Sequence, residues 1–544
     1  MTAPQPDIAD VLLYCEARGS APDYICARHS KADQYVAGKT GEIVVPVSCV
    51  GREIFVVSDL HLATGRGSDG RYDGCENFFF DGSFRRFLKS ADQEVSPQKA
   101  VLIINGDFVD FLRVTYVPGS ERGLTRWQKA QRRLRLRPRA RRIRRLKDEH
   151  REEFKKQFEE WRQILEKVGI KRSLESLVES ITDKEEIYGL QTDDYKSVLR
   201  LDLVIKGHDE FFQSLAEWLG SGHKIIIVKG NHDLEWYWLA VRNYLRLDLA
   251  MRLAGSKNDP VAIKDALERT VLPNLTFIDD AMLVDGDFYV EHGHRYDPLT
   301  RVLGGDTVNG GRELNLPFGS FINRYVLNFI EKHYSFIDNI RPTENILPLM
   351  LKHRFFAGIR LLISHVWVIV RTVPRNYTSF IFGQRLVARV LIILIVVAVP
   401  PILLLWYHID SKEHNLLKIL QWFVWLGLSY GVIQLLAHAQ LTEPDSLAGP
   451  ARLKFRGHHE YKLITFGHTH NPDQFEERGR WFYNTGTWIP IVEATAASLR
   501  QDDTFAFLRL RRDPEGRLQP SVLERWDDDA ARSKEMVLIR GAVS

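Results

Sequence analysis

The sequence predicts an α/β fold, and two observations carry the prediction. Several apolar runs have the length of a strand, and each ends in a compact polar cluster. Lys224-Ile225-Ile226-Ile227-Val228 is apolar enough to be a buried strand and leads to Gly230-Asn231-His232-Asp233. Phe55–Ser58 leads to Asp59-Leu60-His61, and Val101–Asn105 leads to Gly106-Asp107-Phe108-Val109-Asp110. Phe288–Glu291 leads to His292-Gly293-His294, and Lys462–Phe466 to Gly467-His468-Thr469-His470. Open α/β sheets place their chemistry just past the strand ends. One such cluster is more often a turn or a satisfied polar group, but the whole series points to a single site.

Composition is that of a globular protein: 544 residues, 44% apolar and 26% charged, with a net charge of +4. Length allows two to four domains, by the usual size of about 100–200 residues each. Cys15, Cys26, Cys49 and Cys75 have no C-x-x-C spacing, which fits a reducing compartment better than a disulfide framework or a zinc site. The first residues have neither a basic nor an apolar segment of the kind a cleaved leader needs.

In chain order, residues 1–40 carry no motif. Glu42–Val47 and Glu53–Val57 read as neighbouring strands, and Pro46 suits an edge position. Asn77–Phe80 and Phe84–Leu88 supply core side chains. An insertion follows Asp110. It opens with Arg126–Lys147, where Arg132, Arg133, Arg135, Arg137, Arg139, Arg141, Arg142, Arg144 and Arg145 stand among further cations and no acid. Most charge runs are solvated helix faces. Without acidic partners this one points to a polyanion, with anionic lipid first and nucleic acid second. Residues 148–200, rich in Glu and Lys, read as soluble helices.

A second insertion separates His294 from Gly467. Its runs Val390–Trp406 and Ile419–Ala437 carry no charge, and each approaches the roughly 20 residues that cross a hydrocarbon core. The alternative is a buried helical pair. Arg385, Arg389, Arg452, Lys454 and Arg456 flank the pair, whereas the connector holds Lys412 and, at its edge, Lys418. The expectation is a membrane hairpin over about 390–437, with both flanks and the catalytic domain facing the cytoplasm. Phe355–Val370 reads as an interfacial helix. Trp481–Trp488 and Thr504–Leu510 read as closing strands, and Asp527-Asp528-Asp529 has no assignable chemistry.

The series D-x-H, G-D-x-x-D, G-N-H-D, H-G-H and G-H-x-H resembles the signature of the calcineurin-like metallophosphoesterase superfamily. The resemblance implies a four-layer α-β-β-α sandwich. The domain would be assembled from 41–114, 206–304 and 456–512, interrupted by the insertions 115–205 and 305–455 and followed by a tail at 513–544. It also implies hydrolysis of a phosphomonoester, phosphodiester or pyrophosphate by a hydroxide bridging two divalent ions. Family matching gives Asp59, His61, His470 and Asp107 to the first ion, and Asn231, His292, His468 and again Asp107 to the second. His232 would face substrate as an acid, Asp233 would hold its tautomer, and Asp110 would support the ligands from behind. His294 is left open between a structural role and a substrate contact.

Mixed imidazole and carboxylate ligation suits Mn, Fe, Zn or Ni alike. The i, i+2 spacing of Asp59/His61 and of His468/His470 puts each pair on one side of an extended segment. Such motifs fix a site and leave the substrate open. A strand-end His-Gly with membrane association resembles the UDP-diacylglucosamine pyrophosphatase branch, but Gly-Asn-His-Asp and the two insertions depart from it. Two rivals remain at this point: a nucleic-acid phosphodiesterase recruited by the basic run, and a non-catalytic membrane scaffold that retains the fold.

Overall fold

A computed structural model describes residues 43–119, 152–328, 415–437 and 446–536, apart from a few positions inside those ranges, together with 36–37, 340–341, 403–404, 444 and 538. The fold is mixed α/β, framed by two seven-stranded sheets. The strands of these two sheets are β1 Val36–Ala37, β2 Ile43–Val47, β3 Arg52–Val57, β4 Lys99–Asn105, β5 Lys224–Val228, β6 Leu275–Ile278, β7 Ala281–Val284, β8 Phe288–Glu291, β9 Leu463–Phe466, β10 Asp473–Glu476, β11 Trp481–Asn484, β12 Ala506–Leu510, β13 Leu523–Asp527 and β14 Arg532–Glu535. One sheet runs β14-β13-β12-β3-β4-β5-β6 and the other β1-β2-β7-β8-β9-β11-β10. Strands β3 to β6 are parallel, as are β8, β9 and β11.

Alternation along the strands explains why the runs are apolar throughout. Ile54, Val56, Val101, Ile103, Ile226 and Val228 share one core with Met282, Phe288, Val290 and Leu463 of the other sheet. Phe55, Val57, Leu102, Ile104, Ile225 and Ile227 face the opposite way, into a core shared with helices. Successive side chains of a strand point to opposite faces, so a strand covered on both has no polar position. The helices on that side include α1 Asp81–Val95, α2 Glu152–Lys167, α3 Leu174–Ser180, α4 Asp194–Gly207, α5 Asp209–Gly220 and α6 Leu239–Leu253. The far face of the second sheet packs Tyr289, Ile464, Phe466 and Phe482 against Ala451 and Phe455 of a further helix, Ala448–Gly457.

Three expectations meet a different outcome. Glu42–Val47 and Glu53–Val57 are not neighbours: β2 pairs with β7 and β3 with β4, in different sheets. Pro46 does sit near an edge, because β1 covers only Ile43 and Val44. The tail extends the first sheet through β13 and β14, and its Asp528 pairs with Arg86 and Ser83 of α1. No helix among the described residues is long and apolar enough to cross a membrane, so the expected hairpin over 390–437 is not found among them. The first apolar run lies outside the described residues apart from Leu403 and Leu404. The second forms the helix Asn415–Ala437, where Lys418 and Gln421 stand among apolar residues. The basic run and the segment Phe355–Val370 lie outside the described residues.

Residues 152–207 do form helices, and these belong to the core. Phe158, Trp161 and Leu165 repeat at helical spacing and are buried. The loop after Asp59-Leu60-His61 is pinned to α4 by charge. Glu76 accepts from the amides of Ala63, Gly65 and Phe78. The buried His208 imidazole sits between Glu76 at 3.2 Å and Asp81 at 2.9 Å. Burial alone would lower its pKa, but Glu76 and Asp81 outweigh burial and push it up to about 9. A raised folded-state pKa gives stability that is full below the unfolded value of about 6.5. That stability, on the order of 3 kcal/mol, is lost as pH climbs through 9. Thermal melts of the wild type should therefore fall between about pH 6.5 and 9, and His208→Gln should remove most of that slope. An unchanged slope in the variant would show that other groups set it.

Candidate metal centre

Every ligand cluster sits where the alternating strands release the chain. Asp59 and His61 follow β3, Asp107 follows β4, Asn231 follows β5, His292 follows β8, and His468 and His470 follow β9. The first three strands belong to one sheet and the last two to the other, so the site lies at the shared carboxyl-end edge of both. Backbone bonds stitch the loops together: Asp59 N–H donates to Gly106 O, His61 N–H to Asp107 O, and Gly467 N–H to His292 O. There is no room for side chains between them. A Cβ on Gly230 would overlap the Asp107 carboxylate, and one on Gly106 would overlap the His292 ring.

The backbone at the site is strained. Asp59, His61, Asp107, His468 and His470 all have φ between 49° and 72°, a region that costs a non-glycine residue about 1–2 kcal/mol. Such positions persist only where surrounding structure holds them, and they cluster at functional sites. Here the strain turns neighbouring side chains toward one point.

The convergence produces three groups whose donor atoms lie within 4.8 Å of one another: Asp59, His61 and His470; His61, Asp107 and His232; and Asp107, His292 and His468. The first holds the expected first set except Asp107, the third holds the expected second set except Asn231, and Asp107 is common to the second and third groups. Asn231, the remaining expected ligand, is buried, and its Oδ1 has no hydrogen-bond partner. The Nε2 of His292 is likewise buried without a hydrogen bond, 3.1 Å from Asp107 Oδ2. Orphaned buried acceptors are rare in folded proteins. His61 Nε2 and His470 Nε2 lie 2.9 Å apart. Two nitrogens bound to one ion at about 2.1 Å and at right angles would lie about 3.0 Å apart. The donor set and its spacing therefore fit divalent metal ions.

Electrostatics agree. Burial pushes Asp59 and Asp107 up, but neighbouring imidazoles prevail: His292 and His470 bring Asp59 below its usual value, and His292, His232 and His61 bring Asp107 well below it. The same carboxylates outweigh burial at His292 and push it up to about 9. The pocket attracts positive charge, which protons or metal cations can supply. His294 behaves oppositely. Burial, then His292 and His468, hold it well below its usual value, and its Nδ1 is buried without a partner.

Asp110 backs His61 as expected, but it also takes the support of His232 that was expected of Asp233. Asp233 does not hold His232. Its carboxylate accepts from Gly230 N–H, Phe108 N–H and Trp236 Nε1–H, so it braces the loop. Burial and the nearby Asp107 push its carboxyl up to about 7. Asp110 holds His232 instead, with Oδ2 2.9 Å from His232 Nδ1, and the same oxygen is 3.2 Å from His61 Nδ1 and 3.0 Å from Arg113 Nε. Burial raises Asp110, yet His232, His61 and Arg113 bring it far below its usual value. Arg113 was not foreseen, although its i, i+3 spacing from Asp110 was open to reading. Asp297 and Thr300, both beside His468 Nε2, have no sequence signal.

Comparison with family models and with curated proteins finds no match to this chain.

The two aspartates should separate by experiment. Asp110→Ala removes the acceptor behind His61 and should weaken metal binding about 10–100-fold. Asp233→Ala leaves three buried donors unpaired at about 1–3 kcal/mol each, so it should lower the melting temperature more than metal content. Elemental analysis of dialysed protein beside thermal melts reads both, and equal metal loss in the two variants would refute the division.

Proposed function

We propose that the protein is a metal-dependent phosphoric ester hydrolase with the helix–sheet–sheet–helix sandwich of calcineurin-like metallophosphoesterases. Its bond is a phosphomonoester, phosphodiester or pyrophosphate. The observation that carries the reading is one buried carboxylate, Asp107, that stands in one group with His292 and His468 and in another with His61 and His232, beside the group of Asp59, His61 and His470. Two divalent ions would supply a nucleophile at neutral pH and draw charge from phosphoryl oxygens.

The chain's own residues do the rest. Asp107 would be shared by the two ions, with Asp59, His61 and His470 holding one and Asn231, His292 and His468 the other. His232 is adjacent to a ligand but more open than most of them, with 16% of its side chain exposed. Its Nδ1 faces Asp110, which leaves Nε2 for substrate. Burial lowers its pKa, but Asp110 and then Asp107 raise it to about 10, so it carries a proton at neutral pH. With Asp107 engaged by cations, Asp110 remains the carboxylate that keeps His232 charged. That proton goes to the leaving oxygen. The proposal includes recruitment to an anionic lipid surface. Its support is the basic run Arg126–Lys147 and the exposed Leu416, Phe423 and Leu428 on Asn415–Ala437.

Purified protein supplied with Mn, Fe, Zn or Ni should hydrolyse at least one member of a panel of phosphomonoesters, phosphodiesters and nucleotide-linked lipids. Anionic vesicles should raise the rate on amphiphilic members. Asp107→Ala should abolish turnover and metal loading together, and retained activity at unchanged metal content would refute the reading. His232→Ala should keep its metal and lose about a hundredfold to ten-thousandfold in rate. That loss should shrink for p-nitrophenyl esters, whose leaving group needs no proton. Equal losses on good and poor leaving groups would remove the acid role.

A further inference from the structure

We propose that Asp297 is a positioning residue for the second metal ion, because it fixes which nitrogen of His468 faces that ion. The inference rests on the dinuclear reading above and deepens it.

His468 Nε2 has two oxygen neighbours, Asp297 Oδ2 at 3.2 Å and Thr300 Oγ1 at 3.3 Å. The Thr300 hydroxyl donates its only proton to the His294 carbonyl, 2.9 Å away. Toward His468 it can therefore only accept, and an ionised carboxylate has no proton to give. Both neighbours demand a proton on Nε2. A neutral imidazole carrying its proton there has its lone pair on Nδ1, and Nδ1 is then the atom left to join Asp107 and His292.

This orientation is opposite to that of the other ligands. His292 Nδ1 lies 2.9 Å from the Asn105 carbonyl and His61 Nδ1 lies against Asp110, so each presents Nε2. His468 is turned the other way because its support comes from a different direction, the turn that follows His294. That turn is well held. Asp297 is 1% exposed, its Oδ1 accepts from Leu299 N–H at 2.8 Å, and its carbonyl accepts from the amides of Thr300 and Arg301. Carboxylates behind metal-bound histidines set tautomer and basicity, and their loss costs about 10–100-fold in metal affinity.

Asp297→Asn is the informative variant. Its amide oxygen would keep the Leu299 bond, which turns the NH2 toward His468. An NH2 can only donate, so it would favour the tautomer with the proton on Nδ1 and block that lone pair. Mn(II) titration of the full chain, followed by calorimetry and electron paramagnetic resonance, reads the effect without any turnover assay. Wild type should bind two ions and show the spectrum of a coupled pair. Asp297→Asn should lose about 10–100-fold affinity for one ion only, leaving the spectrum of an isolated ion at intermediate loading. Thr300→Val removes the weaker acceptor, disturbs the turn less and should give a smaller loss in the same ion. Metal-free thermal melts show whether either variant is folded. Folded variants with two ions at wild-type affinities and a coupled spectrum would overturn the inference. Wild type binding a single ion would overturn the dinuclear reading itself, which is a different result.

Discussion

The structure depends on a concentration of buried negative charge that must be met locally. Asp59, Asp107 and Asp110 are each 1% exposed or less, and an unpaired buried carboxylate is expensive enough that it must find partners or take a proton. Each finds imidazoles: His292 and His470 around Asp59, His292, His232 and His61 around Asp107, and His232 and His61 around Asp110. Carboxylates and imidazoles at this density require loops pressed edge to edge, which explains the glycines between them. It also explains five left-handed backbones at ligand positions. The strain is sustained by the strands behind it, whose side chains fill the core between the sheets.

Ligands from two sheets meet only if the sheets keep a fixed spacing, so the inter-sheet core is part of the site. The insertions contribute as well. Arg200 of α4 donates to the Phe111 carbonyl and pairs with Glu235, both buried beside site loops. Arg324, from the second insertion, donates to the carbonyls of Gly189 and Leu190 in the first, and Asn328 donates to Leu112 O. Ion pairs this deep are poor sources of net stability, but removing one partner is costly because it strands the other. They tie both insertions to the loop after Asp107.

The strand-end clusters were legible because two signals coincide there: apolar runs with no polar gap, and polar residues at their ends. The runs fix a strand by their own side chains, but pairing partners depend on distant segments. That is why β2 and β3, close in sequence, fall in different sheets. The support of His232 comes from Asp110 and not from Asp233 for a similar reason. His232 and Asp233 are adjacent, and adjacent side chains diverge, so the acceptor for His232 comes from the loop after β4. Asp297 was invisible, since only the folded turn brings it to His468. The apolar run Ile419–Ala437 forms part of one helix, Asn415–Ala437, and no helix among the described residues is long and apolar enough to cross a membrane. Asp528 lay in an acidic patch without meaning until β13 carried it to Arg86.

One oxygen joins the two halves of the proposed chemistry. Asp110 Oδ2 faces His61 Nδ1, on the metal side, and His232 Nδ1, on the substrate side. A cation taken at His61 Nε2 would make the Nδ1 proton more acidic and its bond to Asp110 stronger. The same carboxylate would then have less charge to hold the proton of His232. By reciprocity, deprotonating His232 would strengthen the hold of Asp110 on His61 and favour the cation. Arg113, at 3.0 Å from the same oxygen, keeps Asp110 ionised through either change. On the proposed reading, the proton affinity of His232 would be set partly by whether the first ion is in place, and its proton would be easiest to release once that ion is bound, which is when a leaving oxygen would need it.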